Sequence, residues 1–245
     1  MISKNQLKFF KSLNQSKFRN KNNMFIVEGW RSIQDFINSD YKLVSVFATK
    51  RWINLNNNFK NATEINQEDL KKISSLKNPN QVLAIFEKKK IISLNDVNLK
   101  KIMVFLENIS NPGNLGSIIR TCDWFGLNTI VCSENSVNIY NPKVIQSSMG
   151  SLSRVNVIYS NTDLFLSFIN KKKVIKLVAD LRGENIFSMS KISSGVLFFG
   201  NESKGISEKI KKQGYNKITI PKNISNCESL NLSVSFGIII SKLLK

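Results

Sequence analysis

The sequence contains no histidine, and this absence removes several kinds of chemistry at once. Without an imidazole the chain has no Ser-His or Cys-His pair for nucleophilic catalysis and no histidine ligand for a metal. Its three cysteines, Cys122, Cys132 and Cys227, are far apart, which argues against a zinc cluster or a disulfide framework and favours a reducing cytoplasm. Any reaction must therefore use asparagine, serine, glutamate, arginine, lysine or a cofactor, and we expect no metal.

Acidic residues are also scarce. Only 17 Asp and Glu stand against 36 Lys and Arg, which gives a net charge of +19 over 245 residues. A polyanion is the first partner that this imbalance suggests, because neutralised phosphates release counterions and strengthen binding. The enrichment in Lys, Asn and Ile is equally compatible with drift in an AT-rich genome, so charge alone leaves both interpretations open.

Long apolar runs are missing as well. The basic opening segment has no apolar core of the kind found in signal peptides, and no run approaches the length that spans a bilayer. The sequence therefore predicts a soluble cytoplasmic protein with no membrane partner.

The chain divides into two regions with different patterns. Residues 1 to about 22 are basic, and the near-helical spacing of Leu7, Phe10 and Leu13 predicts either a helix packed on its own domain or an RNA-binding arm. Short apolar runs then alternate with helical patterns up to Phe86, and a charged, polar stretch follows. We predict a small α/β domain over residues 1–90, a linker over 91–100 and a second domain over 101–245.

The second region has the pattern of an α/β fold with a parallel sheet. Its apolar runs are separated mostly by helical segments, as in sheets covered by helices on both faces. These runs are IMVFLE, TIVCS, VNVIY, VIKLVAD, VLFFG and ITIP. A last helix from about Ser229 to Leu244 places Leu232, Phe236, Ile239 and Leu243 on one face.

The stretch NPGNLGSIIRTCDWFG, residues 111–126, lies between the first of these strands and an apolar helix. Asn114 stands where an N-cap belongs, and Gly126 suits the end of the helix. Arg120 lies off the apolar stripe, near the carboxyl edge of the sheet, where open α/β folds bind ligands. Taken alone, a capped helix with a solvated arginine explains this motif.

A second polar loop occurs in LFFGNESKGIS, residues 197–207. Gly200 and Gly205 have the spacing of a phosphate-binding P-loop, but Ile206 stands where that motif requires lysine. What remains is one carboxylate, Glu202, in a glycine-bounded loop at the end of a buried strand.

A third loop occurs in ITIPKNISNCESLNLSVSFG, residues 218–237. Ser229 is a candidate cap for the last helix. Asn231 is a poor helix former just inside the start, and capping alone does not explain it.

These stretches resemble a known family. NPGNLGSIIRT, GNESKGIS and IP…ESLNLSVS are similar, in order and spacing, to the three motifs of the SpoU/TrmH family of SPOUT RNA methyltransferases. FIVEG and the unit after it resemble that family's amino-terminal substrate-binding domain, which is similar to ribosomal protein L30e. The resemblance covers nearly the whole chain. It implies a trefoil knot, S-adenosylmethionine as cofactor, methylation of a ribose 2′-hydroxyl in structured rRNA or tRNA, and a homodimer.

The resemblance also implies functional residues. The positions whose backbones grip the cofactor are Gly200, Ile220 and Leu230. The polar active-site set is Asn114, Arg120, Glu202, Ser229 and Asn231. After Ile-Pro the chain lacks the family's Met and Gly and has one residue more before Ser-Leu-Asn. The path of the loop from Lys222 to Glu228 is therefore left open.

A sulfonium cofactor carries an activated leaving group, so the protein must mainly hold oxygen, carbon and sulfur in line. The pKa of a free arginine, above about 12, makes it a poor base. We therefore expect Arg120 to clamp the adjacent phosphate with its bidentate fork, and Asn114 to fix Arg120 or the ribose. Glu202, Ser229 and Asn231 would hold the motif loops. The alternative is a non-catalytic RNA-binding platform, and a P-loop nucleotide hydrolase is a distant third.

Overall fold

The structure is a computed structural model that describes residues 2–90, 92–223 and 226–244. The chain forms two compact units. The first comprises residues 1–90 and 140–154, and the second comprises residues 91–139 and 155–245.

Helices and strands alternate along most of the chain. Residues 2–90 contain α1 (Lys4–Ser12), α2 (Ser16–Asn22), β1 (Met24–Glu28), α3 (Trp30–Ile37), β2 (Leu43–Ala48), α4 (Lys50–Leu55), β3 (Ala62–Glu64), α5 (Gln67–Ile73) and β4 (Val82–Glu87). The remainder contains β5 (Ile102–Leu106), α6 (Pro112–Trp124), β6 (Thr129–Ser133), α7 (Pro142–Ser148), β7 (Asn156–Ser160), α8 (Thr162–Asn170), β8 (Lys176–Asn185), β9 (Gly195–Phe199), α9 (Glu208–Lys211), β10 (Asn216–Thr219) and α10 (Leu232–Leu243).

The basic opening segment is helical and packed. Ser3 and Gln6 form a capping box, in which the Ser3 hydroxyl accepts from the Gln6 backbone and the Gln6 side chain accepts from the Ser3 backbone. Phe10 and Leu13 are buried in the core of the first unit. Of the two predictions for this segment, the structure shows the helix packed on its own domain.

The first unit is built on a four-stranded sheet in the order β1-β4-β2-β3. Strand β4 runs antiparallel to both β1 and β2, and β3 runs parallel to β2. Because side chains alternate along a strand, both faces of this sheet carry buried residues. Ile26 packs with Phe10 and Leu13 on one face, and Phe25 packs with Phe36 and Phe86.

Residues 140–154 belong to this first unit, whereas the sequence-based division placed them in the second domain. The Tyr140 ring lies 4.6 Å from that of Phe25, and Arg154 forms an ion pair of 2.8 Å with Asp35. Gly150 has a φ of +88°. The Tyr140–Phe25 and Arg154–Asp35 contacts join residues distant in sequence, which local sequence patterns do not reveal.

The second unit contains a six-stranded sheet in the order β10-β8-β9-β5-β6-β7, and every pairing is parallel. The prediction of an α/β fold with a parallel sheet is therefore confirmed. Strands β5 and β9 are buried along their whole length, which explains their continuous apolar sequences. Within the described ranges, no helix is both long and apolar enough to cross a membrane.

Candidate active site

A buried carboxylate, that of Glu107, hydrogen-bonds at the start of the loop after β5. Glu107 is 2% exposed and accepts hydrogen bonds from the backbone N–H of Ser207 at 2.7 Å and from its hydroxyl at 2.6 Å. The next residue, Asn108, has a φ of +54° and donates its backbone N–H to the Ser133 hydroxyl at 2.7 Å. The Asn201 side chain donates to the Asn108 carbonyl at 2.7 Å, so the loops after β5 and β9 are bonded to each other.

Helix α6 begins one turn earlier than we predicted. Its N-cap is Asn111, whose side-chain oxygen accepts from the backbone of Gly113 at 2.8 Å and of Asn114 at 3.3 Å. Pro112 stands in the first turn, where its missing N–H does no harm. The prediction of Asn114 as N-cap was wrong, because Asn111 already supplies the capping oxygen. Asn114 is instead inside the helix and 6% exposed.

Glu202 is the centre of a hydrogen-bond network that joins the first two motifs. Its carboxylate accepts from the Ser110 backbone at 3.3 Å, the Ser110 hydroxyl at 3.1 Å and the Asn111 backbone at 3.1 Å. It also accepts from the Asn114 side chain at 3.1 Å. The carboxylate thus satisfies backbone donors near the start of α6 and fixes the rotamer of Asn114.

The third motif joins the same network through Asn231. This residue is the N-cap of α10, where its side-chain oxygen accepts from the Ser233 backbone at 2.9 Å. Its amide nitrogen donates to the Asn114 side-chain oxygen at 3.1 Å. The suggestion that Ser229 caps this helix was wrong, because α10 begins only after Asn231. Glu202, Asn114 and Asn231 therefore form one connected chain of side chains, which we call the motif network.

The electrostatics of the network favour an ionised Glu202. Partial burial acts to raise the pKa of this carboxyl. Hydrogen bonds from its own backbone, from the Asn114 side chain and from the backbones of Asn111 and Ser110 outweigh burial and lower the pKa below its ordinary value. Near neutral pH the group is an anion fully engaged as an acceptor, which suits positioning rather than proton transfer.

A cavity of about 860 Å³ opens beside the network, between strand β8 and the loops that follow β9 and β10. All three residues assigned to the cofactor line it, together with two of the polar set; these five are Gly200, Ile220, Leu230, Glu202 and Ser229. A side chain at Gly200 is excluded, because a Cβ there would lie 2.2 Å from the Gly205 carbonyl carbon. The backbone therefore forms the wall at this point.

Arg120 stands apart from the other predicted residues. It is exposed on α6 and does not line the cavity. Trp124, one turn further along α6, is 85% exposed. In the described part of the chain, the Arg120 side chain forms no hydrogen bond and no ion pair. The structure brings Asn114, Glu202 and Asn231 together but leaves Arg120 outside their network.

The loop that departs from the family pattern borders the cavity. Lys222, Asn223, Cys227 and Glu228 line it, and the Cys227 thiol donates to the Ser229 carbonyl at 3.2 Å. Residues 224 and 225, within the stretch whose path the sequence left open, lie outside the described residues.

Sequence reasoning missed several residues of the site. Asn111 and Asn201 bind the motif loops, and Asp180 and Arg182 line the cavity from the end of β8. The signal for Asn111 was present, because Asn-Pro is a common start of a helix. No comparable signal marked Asp180 and Arg182. Asp180 ends the predicted run VIKLVAD, and Arg182 lies beyond it in a strand that extends to Asn185.

Comparison with known proteins agrees with this geometry. Residues 101–241 match the SpoU rRNA Methylase family, and residues 4–84 match the MRM3-like substrate binding domain. The 23S rRNA (guanosine(2553)-2′-O)-methyltransferase RlmP of Bacillus subtilis is 23% identical over 97% of this chain and 96% of its own. An uncharacterized tRNA/rRNA methyltransferase of Archaeoglobus fulgidus is 31% identical over 56% of this chain and 61% of its own.

Solved structures show the same fold over the whole chain. A protein assigned to the TrmH family of RNA methyltransferases, from Porphyromonas gingivalis, has a TM-score of 0.87 at 27% identity and covers 100% of this chain and 98% of its own. The AdoMet-bound rRNA methyltransferase from Sinorhizobium meliloti has a TM-score of 0.87 at 24% identity, with 99% and 96% covered.

A parallel sheet with a cavity at its strand ends, beside a carboxylate–amide network, is the arrangement of a ligand-binding α/β domain. The chain belongs to the SpoU rRNA methylase family, because that family's model matches more than half of it. The family predicted from the three motifs is therefore confirmed. The predicted class of protein, an S-adenosylmethionine-dependent RNA 2′-O-methyltransferase, is confirmed as well.

Proposed function

We propose that this chain binds S-adenosylmethionine in the cavity lined by Gly200, Ile220 and Leu230 and methylates a ribose 2′-hydroxyl of rRNA or tRNA. The observation that carries the proposal is the motif network, which joins all three motifs beside that cavity. The cavity volume of about 860 Å³ falls in the usual range for small-molecule sites. The bare backbone at Gly200 fits a cofactor that packs closely against main-chain groups.

The chain's own residues divide the work as follows. Glu202 holds the start of α6 against the cavity and orients Asn114. Both polar atoms of the Asn114 amide are engaged, one with Glu202 and one with Asn231, so the remaining amide hydrogen has a fixed direction. Of the ribose and Arg120, we propose the ribose as the group to which this Asn114 hydrogen is donated. When bound, the cofactor supplies an activated methyl group.

Arg120 is proposed to clamp the phosphate next to the reacting ribose. A guanidinium matches two phosphate oxygens at once and remains charged at all ordinary pH values. Its exposed side chain is available for that contact. Since Glu202 is held as an anion by its donors, neither residue is a good proton acceptor, and their proposed role is orientation and charge stabilisation.

We further propose that the active form is a homodimer built on α6 and α10. These helices pack together and carry exposed apolar side chains, Trp124 at 85% and Val234 at 50%. A second copy of the chain is the partner that fits such a face. Helix α10 is largely apolar, and its one charged residue, Lys242, lies near its end. Arg120 lies beside this face and outside its own cavity, so we propose that it serves the cavity of the other copy.

Mixing two inactive variants tests this arrangement. Arg120→Ala removes the clamp, and Leu230→Trp fills the cavity, where Leu230 is 48% exposed. If each cavity uses the other copy's arginine, refolding the two together should restore about a quarter of the wild-type activity, through one competent site in half of the dimers. Absence of recovery, with mixed dimers seen by native mass spectrometry, would contradict the shared site.

The finer points of the fold are also proposals. We infer a trefoil knot near the cavity. The carboxyl end of α10 lies against the segment between β8 and β9, where Ile192 donates its backbone N–H to the Leu243 carbonyl at 2.7 Å. We assign an L30e-like, RNA-binding role to the first unit, supported by the match to a substrate binding domain and by an excess of basic residues. Cytoplasmic localisation stays a prediction.

Cys227 offers a direct test of cofactor binding. It is the exposed cysteine and lines the cavity, whereas Cys122 and Cys132 are buried. Burial raises the pKa of both buried thiols, which protects them further. A thiol reagent should therefore modify Cys227 alone, and S-adenosylmethionine should slow the reaction severalfold, whereas methionine should not.

Cys227→Ser provides the background for this assay, because it should abolish the fast reaction. Equal labelling rates with and without S-adenosylmethionine would contradict the cofactor site. The activity itself is tested by mapping 2′-O-methyl sites in total RNA from cells with and without the gene. A non-catalytic RNA-binding platform would leave that map unchanged.

A further inference from the structure

Three aromatic side chains meet at one edge of the sheet in the first unit. Strands β1 and β2 both run antiparallel to β4, so their carboxyl ends lie at the same edge. Trp30 follows β1, and Trp52 lies on α4, which follows β2. The Trp30 ring lies 5.0 Å from that of Trp52 and 5.1 Å from that of Phe59.

Each ring has a cation as its neighbour in sequence. The pairs are Trp30 with Arg31, Trp52 with Arg51, and Phe59 with Lys60. All three cations are exposed. Across the residues that the structure describes, none of the three forms an ion pair or a side-chain hydrogen bond. We call these six residues the aromatic–cationic edge.

We propose that the aromatic–cationic edge binds unpaired nucleotides of the RNA substrate, with Trp30 as the ring on which a base stacks and the three cations on the phosphates. This inference rests on the proposed function and adds the type of RNA that the first unit recognises. Bases in single strands, loops and bulges expose the faces that aromatic rings bind, whereas bases in a duplex do not.

The packing makes Trp30 the member suited to stacking. Trp52 is only 8% exposed, while Trp30 is half-buried and keeps part of its surface accessible. Trp52 and Phe59 meet Trp30 at interplanar angles of 65° and 67°, so they brace the ring from the side. A braced ring loses little conformational entropy when a base binds.

The acidic residue beside this edge is already engaged. Glu28 precedes Gly29 and Trp30, and its carboxylate accepts from the Ser74 hydroxyl at 2.5 Å and from the Ser75 backbone and hydroxyl at 2.9 Å each. These donors partly offset its charge and hold the loop before β4 in place. The charge of the whole first unit favours the same partner, since it contains 19 Lys and Arg against 7 Asp and Glu.

The test compares RNA binding by variants of the full chain, using a short single-stranded oligoadenosine and a blunt RNA duplex of the same length. Trp30→Ala should weaken oligoadenosine binding on the order of tenfold and change duplex binding little. Leu55→Ala is the matched control, because Leu55 is a 73% exposed apolar residue on α4 that belongs to no aromatic cluster. It should bind like wild type.

A second variant covers the case in which Trp30→Ala fails to fold. Arg31→Ala combined with Arg51→Ala leaves the rings intact. The steepness of log affinity against log salt should fall by the contribution of about two phosphate contacts. In a Trp124→Phe background the remaining tryptophans, Trp30 and Trp52, both belong to the cluster, and oligoadenosine should quench their fluorescence.

The outcomes separate this inference from the proposed function. If RNA is bound and methylated but the edge variants and the fluorescence are unaffected, the aromatic–cationic edge is only a packed surface cluster and the inference is wrong. Preference of the edge for duplex RNA would also overturn it. If no RNA is methylated at all, the proposed function fails instead, whatever the edge binds.

Discussion

The two units of this chain differ in their balance of charge. The first unit has a net charge of +12, whereas the larger second unit has +7, from 17 Lys and Arg against 10 Asp and Glu. In the second unit the central acid, Glu202, binds neutral amides, hydroxyls and backbone groups rather than cations. Long-range attraction of a polyanion needs dispersed, solvated charge, while positioning of reacting atoms needs fixed, satisfied dipoles. The difference suggests that binding and chemistry are divided between the units.

The two units also differ in which atoms surround their glycines. In the first unit a Cβ on Gly150 would meet only side-chain atoms of Asp35, whose carboxylate can rotate away although its Cβ, at 2.9 Å, cannot. In the second unit a Cβ on Gly200 would meet the backbone of Gly205 and Ile206, and one on Gly183 would meet the backbone of Lys217 and Ile218. At Gly200 the wall of the cavity is therefore main chain, which cannot yield without moving a whole loop.

The largest effect on stability is expected from Gly200→Ala. The added methyl would lie 2.2 Å from the Gly205 carbonyl carbon, so the loop between β9 and α9 must shift. We expect a loss of at least about 3 kcal/mol in the free energy of unfolding, at the upper end for overpacking. Urea unfolding measures it. Gly150→Ala, with a φ of +88° but side-chain rather than main-chain neighbours, should lose less, roughly 1–2 kcal/mol. Equal losses would contradict the contrast between main-chain and side-chain walls.

The next effect is on rate. Arg120→Ala should lower single-turnover methylation on the order of a hundredfold, because it removes a charged donor from the transition state. Stability should hardly change, since the side chain is exposed. Arg120→Lys should not restore the rate, because an ammonium lacks the planar fork.

The counterpart of Arg120→Ala in the first unit is the double variant Lys8→Ala with Lys11→Ala. It removes two exposed cations on α1. This change should weaken RNA affinity and its salt dependence while leaving the single-turnover rate at saturating RNA unchanged. A full rate in Arg120→Ala would show that Arg120 is a solvated helix residue without a catalytic role.

Much of the second unit could be predicted from the sequence, for a physical reason. Parallel strands such as β5 and β9 are buried on both faces, so their sequences are continuous apolar runs that stand out between polar loops. The motifs at their ends also fixed which residues to consider, and Asn114, Glu202 and Asn231 do lie in contact.

What could not be predicted depends on contacts that no local pattern encodes. Asn111 and Asn114 are both suitable caps three residues apart, and only the position of Glu202 decides which one is buried. The packing of residues 140–154 with the first unit rests on Tyr140 and Arg154, which meet partners more than a hundred positions away. Asp180 and Arg182 were missed because strand β8 continues past its apolar part.

A smaller effect, dependent on pH, is expected from Glu202→Gln. In either orientation the new amide nitrogen would face backbone or side-chain N–H donors, which should lower the free energy of unfolding by about 1–3 kcal/mol at pH 7. The folded-state pKa of Glu202 is lowered, so its stabilisation is complete above the ordinary pKa of 4.5 and is lost as the pH falls through the folded value. The gap between wild type and variant in urea unfolding should therefore narrow below pH 4.5.

The matched control for this change lies in the other unit. Glu64 is an exposed carboxylate at the end of β3. Glu64→Gln should leave stability within about 0.5 kcal/mol at either pH, as is usual for surface substitutions. A gap for Glu202→Gln that stays constant with pH would mean that the carboxylate charge contributes nothing to the network.

A small change in stability is expected from Asn231→Asp, which separates the two roles of this residue. Aspartate keeps the oxygen that accepts from the Ser233 backbone, so α10 stays capped, and its charge suits a helix start. It loses the amide that donates to the Asn114 side-chain oxygen. Asn114 cannot compensate by flipping, because its own amide would then leave Glu202. We expect a stability change below about 1 kcal/mol but a clear loss of methylation rate, whereas Asn231→Ala should lose both. Urea unfolding and single-turnover rates measured on both variants decide the point. If Asn231→Asp methylates like wild type, Asn231 is only a cap, and the motif network ends at Asn114.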